Sequence, residues 1–541
     1  MPGQSVQLQN YLREVSEALR ANDMERALRV ADAAISDGHE HPNLLVLASH
    51  SRMNGGDNER ALALALRARA LTPRSADVLN AQGLCLIKLE RPREAVAVFD
   101  AALRAAPAMA ALRYHKAQAY EALGELDAAR RELDRVVAIV PDHVEALAWL
   151  ATLASQRGDS LTARDFANRA LAISPKLHAA HLALAAADVA EKNYAGAIAR
   201  LRPLLDGFEI SPINRSVAEG LMGDALDGED RRAEAFAAYT ASKATLRSHY
   251  APVYDIGKFE SAAARVNRLT RYFREADASP WRSGPDTDDD AQVHAFLVGF
   301  PRSGTTLLEQ VLASHPSIET MEERDALWDA AKEFTMADEG FARLAEISPD
   351  EAERFRDAYW KTAGEFGHAA DKPVFLDKMP LNTVMLPVIA KLFPAAKIIF
   401  ALRDPRDVVL SCFRRRFGIT AQMFELTTLQ SAAAYYDAVM TLADLYRGVF
   451  TLDLTETKHE TLLDDFEGET RRLCGFLGVE WRDEMKNFAS RTRTSTTPSG
   501  AQVARGLSRE GADQWRRYEE QLAPVLPVLA PWVTRFGYPE N

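Results

Sequence analysis

Cysteine is nearly missing from this chain. Its three copies, Cys85, Cys412 and Cys474, lie far apart and form no C-x-x-C or other ligand spacing, so neither a disulfide framework nor a structural metal is expected. A reducing, cytoplasmic setting fits this usage. Long apolar runs are missing too: none approaches the roughly 18 to 20 residues of a membrane span. The first thirty residues mix acids, bases and amides without the apolar core of a secretory signal, so neither a membrane span nor export is expected. Positive charge is in deficit, 65 Lys and Arg against 77 Asp and Glu for a net −12. That argues against general nucleic-acid binding, which needs a surplus of bases to neutralise phosphates. It leaves room for a local basic pocket.

At 541 residues the chain exceeds what one hydrophobic core sustains, so two units are expected. The first half is periodic. Alanine recurs every 34 residues at Ala27, Ala61, Ala95, Ala129, Ala163 and Ala197, and proline keeps the same step at Pro73, Pro107, Pro141 and Pro175. A small residue holds a third register at Ser49, Gly83, Ala117, Ala151 and Ala185. An alanine-rich bundle has no reason to keep one period in three registers. The pattern resembles the tetratricopeptide repeat, whose helix pairs pack through small residues and turn at a proline. It covers residues 8–245, six or seven repeats, with Ala235 four residues out of phase because Asp206 to Arg215 lengthens a loop. Such an α-solenoid offers a concave face for a peptide or protein partner. Residues 246–290 end in Pro, Gly, Ser and an acidic run and are expected to form a linker.

Residues 291–541 carry the chemistry. Val293 to Gly299 reads as a buried parallel strand leading into Phe300-Pro-Arg-Ser-Gly-Thr-Thr306 and a helix. Strand, tight loop and helix form an anion cradle: Gly304 permits the turn, N–H groups at the helix start face inward, and Arg302, Ser303, Thr305 and Thr306 add donors. A Walker-type kinase would carry lysine after that glycine, and here Thr305 stands there. A second unit follows, with Lys397 to Leu402 as strand and Pro405 to Phe417 as helix. Its Arg403 and Ser411 are spaced to converge on one dianion. Two such sites on adjacent strands suggest a doubly phosphorylated nucleotide.

At these residues the chain resembles sulfotransferases that use PAPS (3′-phosphoadenosine 5′-phosphosulfate). PRSGTT is similar to their 5′-phosphosulfate loop, and RDPRDVVLS to their 3′-phosphate motif. The resemblance extends from about Gln292 to Pro531 and runs to bacterial tetratricopeptide-sulfotransferase fusions and to tyrosylprotein sulfotransferases. It implies an α/β three-layer, P-loop-like domain with a parallel sheet. It also implies that Arg302, Thr305 and Thr306 hold the 5′ end of the donor, and Arg403 and Ser411 the 3′ phosphate. Glu323, seven residues beyond Pro316, matches the base of tyrosylprotein sulfotransferases, and Lys378 the lysine that steadies the leaving phosphate. Small-molecule members carry Lys-x-His, whereas this chain reads Lys378-Met379-Pro380. Arg505, ahead of Trp515, stands where the family has a nucleotide-contacting lysine, which keeps the charge and changes the geometry.

The expected activity is transfer of a sulfuryl group from PAPS, leaving PAP, to an acceptor hydroxyl on a protein tyrosine or a carbohydrate. The lower charge of a sulfuryl than of a phosphoryl group makes no metal necessary. Other readings stay open. Glu322 is the alternative base, both glutamates could cap a helix starting near Asp325, and Arg414 to Arg416 either form a basic patch or complement a helix dipole. A decayed repeat scaffold or a P-loop kinase would share the same loops.

Overall fold

A computed structural model describes residues 2–207, 209–254, 257, 260–282, 293–367, 372–491 and 506–540. Among them, helices in antiparallel succession fill the stretch from Pro2 to Tyr254. The three sequence registers have separate physical causes. The alanines at 27, 61, 95, 129, 163 and 197 are fully buried, where helices approach too closely for anything larger. At Gly83 an added Cβ would lie 2.4 Å from the Phe99 ring, and at Gly223 2.5 Å from Tyr239; both aromatic residues follow their glycine by sixteen positions. Ser49 instead donates to the Ala61 carbonyl at 2.9 Å.

A fourth register exists only in the backbone. Asn22, Gly56, Glu90, Gly124, Gly158 and Lys192 all have positive φ, between 55° and 80°, and each is 34 residues from the next. Each ends one helix in the left-handed conformation that lets the chain reverse. The residue after it opens the next helix. Asp23, Asp57 and Asp159 accept there from the N–H three residues on, as the Asn193 amide oxygen does from Gly196.

The chain divides into two compact units, Met1–Ala187 and Asp188–Asn541. The second begins with three helices of the repeat pattern, Tyr194–Gly207, Pro212–Gly228 and Arg232–Tyr254. Residues 246–290, expected to form a linker, carry the end of the last of these and helix Ala262–Glu275. Val266, Leu269 and Phe273 of that helix are buried. The Pro, Gly and acidic residues that suggested a tether lie at 283–290, outside the described residues.

Behind these helices lies a five-stranded sheet of β1 (Val293–Gly299), β2 (Ile318–Glu322), β3 (Val374–Lys378), β4 (Lys397–Leu402) and β5 (Asp453–Lys458). All pairs are parallel and the order is β2-β3-β1-β4-β5. Alternate residues of the central strands enter different cores, as the two-residue strand period requires. Phe296, Val298, Ile398 and Phe400 pack with helices Ala262–Glu275 and Leu429–Val449 and with Ala225, Ala235 and Tyr239 of the adjoining repeat helices. Ala295, Leu297, Ile399 and Ala401 pack with helices Thr305–Ala313 and Phe466–Leu477. This is the expected α-solenoid followed by a three-layer α/β domain. The chain crosses from one side of β1 to the other between β3 and β4, so the carboxyl ends of β1 and β4 frame a topological switch point, where such sheets bind ligands.

Candidate functional site

Both loops that the sequence assigns to phosphate sit at that switch point. After β1, Arg302 takes φ 72° and Gly304 φ 93°, and Gly304 caps helix Thr305–Ala313. A Cβ at Gly304 would lie 2.6 Å from His459 Nδ1, so glycine is required by conformation and by space. The helix directs its first N–H groups, which have no partner within the helix, toward the loop. After β4, Asp404 caps helix Pro405–Arg414 by accepting from Arg406 N–H at 2.9 Å, and grips the Arg406 guanidinium as well.

The two loops hold each other. Arg403 donates to the Arg302 carbonyl at 3.1 Å and to the Gly511 carbonyl. Arg302 Nε donates to Ser411 Oγ at 2.9 Å, so the two phosphate subsites inferred from sequence are contiguous. Burial pushes the Arg302 guanidinium down, to about 9, with Arg415 and Arg403 adding like-charge repulsion. Burial pushes His459 down to about 3, with Arg403 and Arg302 adding repulsion. Among the described residues the buried Arg403 Nε and His459 Nδ1 have no hydrogen-bond partner. Cations concentrated this way, with a buried donor unused, are a site prepared for an anion.

Parallel pairing places the third group. Glu322 stands opposite Lys378 in the β2-β3 register, and Glu323 N–H continues the ladder by donating to the Lys378 carbonyl at 2.8 Å. Glu323 then turns left-handed, φ 45°, an uncommon conformation for this residue type and one that gathers at functional sites. Its Oε1 accepts from Lys378 Nζ at 2.7 Å, while Glu322 lies 3.4 Å and Glu309 3.3 Å from the same nitrogen. Lys378 is fully buried and Glu323 36 % exposed. Burial pulls the Lys378 ammonium toward neutrality, but the three carboxylates outweigh it and leave its pKa raised. Neither glutamate caps a helix, because the next one starts at Trp328.

A cavity of about 130 Å³ joins these parts. Arg302, Gly304, Thr305, Thr306, Arg403 and Glu323 line it, with Met379, Leu381, Phe417 and Met423 as apolar walls. Ser303, Ser411, Glu322 and Lys378 are not among its lining residues; Ser411 and Lys378 reach it through Arg302 and Glu323. Arg505 lies outside the described residues.

Sequence reasoning missed His459, Gly511 and Glu309. No motif marks a histidine at a strand end or a carbonyl donated by a distant turn, and Glu309 sits in what reads as an ordinary amphipathic helix. Trp515 was noticed for a different reason. Its backbone N–H donates to Asp407 at 2.8 Å and Arg406 stacks 3.7 Å from its ring centre, tying the carboxy-terminal region to the helix after β4. Arg414 forms no open patch: it pairs with Asp227 and Tyr239.

Residues 295–483 match the model described as "Sulfotransferase family", and residues 46–110 and 86–153 match tetratricopeptide repeat models. An uncharacterized protein of Aquifex aeolicus (strain VF5) is 27% identical over 255 residues, 45% of this chain and 33% of that one. Protein-tyrosine sulfotransferase A of Caenorhabditis elegans is 24% identical over 258 residues, 46% of this chain and 67% of that protein. Protein-tyrosine sulfotransferase 1 of Mus musculus is 25% identical over 262 residues, 45% of this chain and 69% of that protein. The matched stretch thus spans a third of the Aquifex protein and about two thirds of the other two.

Proposed function

We propose, from the premise that this chain carries a sulfotransferase-family domain behind tetratricopeptide repeats, that it moves a sulfuryl group from PAPS to an acceptor hydroxyl. The observation that carries the reading is the meeting of Arg302 and Arg403 from two neighbouring strand ends, with the buried Arg403 Nε unpartnered among the described residues. A doubly phosphorylated nucleotide would bring two anions to these two strand ends. Arg302, Gly304, Thr305 and Thr306 would hold its 5′ end, and Arg403 with Ser411 its 3′ phosphate. PAPS brings an activated sulfuryl group whose bond to the nucleotide oxygen breaks as the acceptor oxygen forms its own bond to sulfur. Glu323 takes the acceptor's proton, and Lys378 steadies the negative charge left on the nucleotide. Met379, Leu381, Phe417 and Met423 keep water from competing for the sulfuryl group.

The names of the two protein-tyrosine sulfotransferases make a tyrosine side chain the first acceptor to test, with carbohydrate next. Calorimetric titration separates the donor readings: PAP should bind far more tightly than ADP, and equal affinities would remove the 3′-phosphate site and the proposal with it. A kinase would prefer ATP with Mg²⁺. A scaffold with a decayed site would bind PAP without transferring label from PAPS. Arg403→Ala should weaken PAP by about 1.5 to 3 kcal/mol, the worth of hydrogen bonds to a charged group.

The repeats are proposed to dock the acceptor or the protein bearing it, which raises its local concentration to the millimolar range through a short tether. Deleting residues 1–187 should leave PAP binding intact while modification of a protein acceptor falls sharply at low acceptor concentration. A melting curve with and without PAP controls for folding. Full-rate modification by the folded truncation would end the docking idea.

A further inference from the structure

Glu309 has no part in the roles above, yet its side chain is only 2 % exposed and its Oε2 lies 3.3 Å from Lys378 Nζ. That oxygen is buried, and its contact with the lysine is an ion pair. Leu307, Leu308, Val311 and Leu312 of the same helix are buried and apolar, and Thr305, Thr306 and Gln310 are buried but uncharged, so Glu309 is the one ionisable side chain this helix buries. An acid kept against the cost of desolvation calls for a function.

The proposed reaction supplies one. Lys378 is fully buried, and burial drives a lysine toward the neutral amine. Its nearest counter-charge is Glu323 at 2.7 Å, and that charge disappears when Glu323 takes up the acceptor's proton. At that moment the lysine must still be a cation to steady the leaving nucleotide. Glu322 remains at 3.4 Å on the edge of solvent, and Glu309 remains beneath.

We infer that Glu309 is a positioning residue for Lys378, holding its ammonium in place and charged while Glu323 is neutral. The inference rests on the proposed sulfuryl transfer. The groups facing Glu309 are Lys378 and Asp377 on β3 and Thr320 and Glu322 on β2. Lys486, on the segment packed against the outer side of the helix, is exposed and engaged with Glu467 and Asp483. Burial pushes the Glu309 carboxyl up, to about 7, against the pull of Lys378 and with Glu322 adding to the rise. Burial also raises Asp377 to about 7, opposed by the Tyr359 hydroxyl that donates to it. As a carboxylate Glu309 supports Lys378, and a carboxyl raised in this way loses that support on protonation at a higher pH than an exposed glutamate would.

The test is Glu309→Gln in the full chain, with Glu309→Asp beside it. Labelled PAPS is the donor, and an acidic tyrosine peptide and p-nitrophenol are the acceptors. Wild-type kcat should rise as pH passes through about 7. In Glu309→Gln it should be about 10- to 100-fold lower and flat across that range, with PAP affinity and melting temperature retained. Glu309→Asp should recover part of the rate. Independently of turnover, the Lys378 titration midpoint, followed by ¹³Cε-lysine NMR and assigned with Lys378→Arg, should fall by about 1 on the pH scale. An unmoved midpoint, or a folded Glu309→Gln enzyme with wild-type kcat and pH profile, overturns the inference. Failure of wild type to prefer PAP over ADP would overturn the sulfotransferase reading instead, and the lysine midpoint would still report on Glu309.

Discussion

Glu323→Gln should lower kcat by about 10²- to 10⁴-fold, the usual worth of a positioned general base, while PAP binds nearly as it does to wild type. The amide keeps the shape and can still contact Lys378, but it cannot accept the acceptor's proton. Nucleotide affinity is spared because Arg302 and Arg403, the arginines proposed to meet the anion, are held in place by Ser411 and by the Arg302 and Gly511 carbonyls, and an amide at 323 leaves those bonds intact. Glu322→Gln should be mild. Its carboxylate is farther from Lys378, at 3.4 Å against 2.7 Å, and is not among the residues lining the cavity. Steady-state kinetics with labelled PAPS, paired with PAP titration of each variant, gives the ranking. The opposite order would move the base to Glu322, and full activity in both variants would send the proton by another route.

Asp227→Ala should cost about 3 to 5 kcal/mol, the penalty for stripping the partner from a buried charge. Asp227 lies on helix Pro212–Gly228, pairs with Arg414 at the end of the helix after β4, accepts from the Tyr518 hydroxyl at 2.7 Å and meets Arg517 at 3.0 Å. Arg414 is only 12 % exposed, so water cannot replace the lost carboxylate. Nearby, the buried Lys243 ammonium donates to the Cys412 and Arg415 carbonyls, at 3.2 and 2.7 Å, filling the helix end that a cation favours. Urea denaturation of the full chain, followed by tryptophan fluorescence with and without PAP, measures the loss. A change below about 1 kcal/mol, the range of an exposed ion pair, would show that Arg414 finds solvent. These contacts also decide where the repeats are cut. Removing residues up to Thr245 takes Asp227 and Lys243 away and confuses loss of acceptor docking with loss of stability, whereas a cut at the Ala187 boundary keeps both.

What could be read from the chain alone follows the range of the forces involved. The alanine and proline registers report local helix contacts repeated every 34 residues, so they survive in one dimension. The strands Val293–Gly299 and Lys397–Leu402 announce themselves as apolar runs followed by Arg302 and Arg403. The Lys378 cage does not. It is assembled by the β2-β3 register and by a helix crossing behind, which bring residues 309, 322, 323 and 378 together, and no spacing in sequence encodes that meeting. Helix Ala262–Glu275 was passed over because its neighbours at 283–290 have the composition of a tether, although its buried face of Val266, Leu269 and Phe273 keeps helical spacing. The left-handed turns were hidden for a third reason: glycine fills only three of the six positions, and Asn22, Glu90 and Lys192 adopt the same backbone without a compositional mark.

Those turns bear on how the array can change over generations. Each reversal is made by two successive residues, one closing a helix and the next opening another, so a 34-residue cassette cut at that point carries its own start and stop. Duplicating or deleting a whole cassette leaves no helix end without its cap, and the length of the first unit is free to drift with whatever it must span. The four extra residues before Asp230 and Ala235 mark where that freedom ends. Beyond them the helices answer to Arg414 and the sheet, and they will be inherited with the α/β domain.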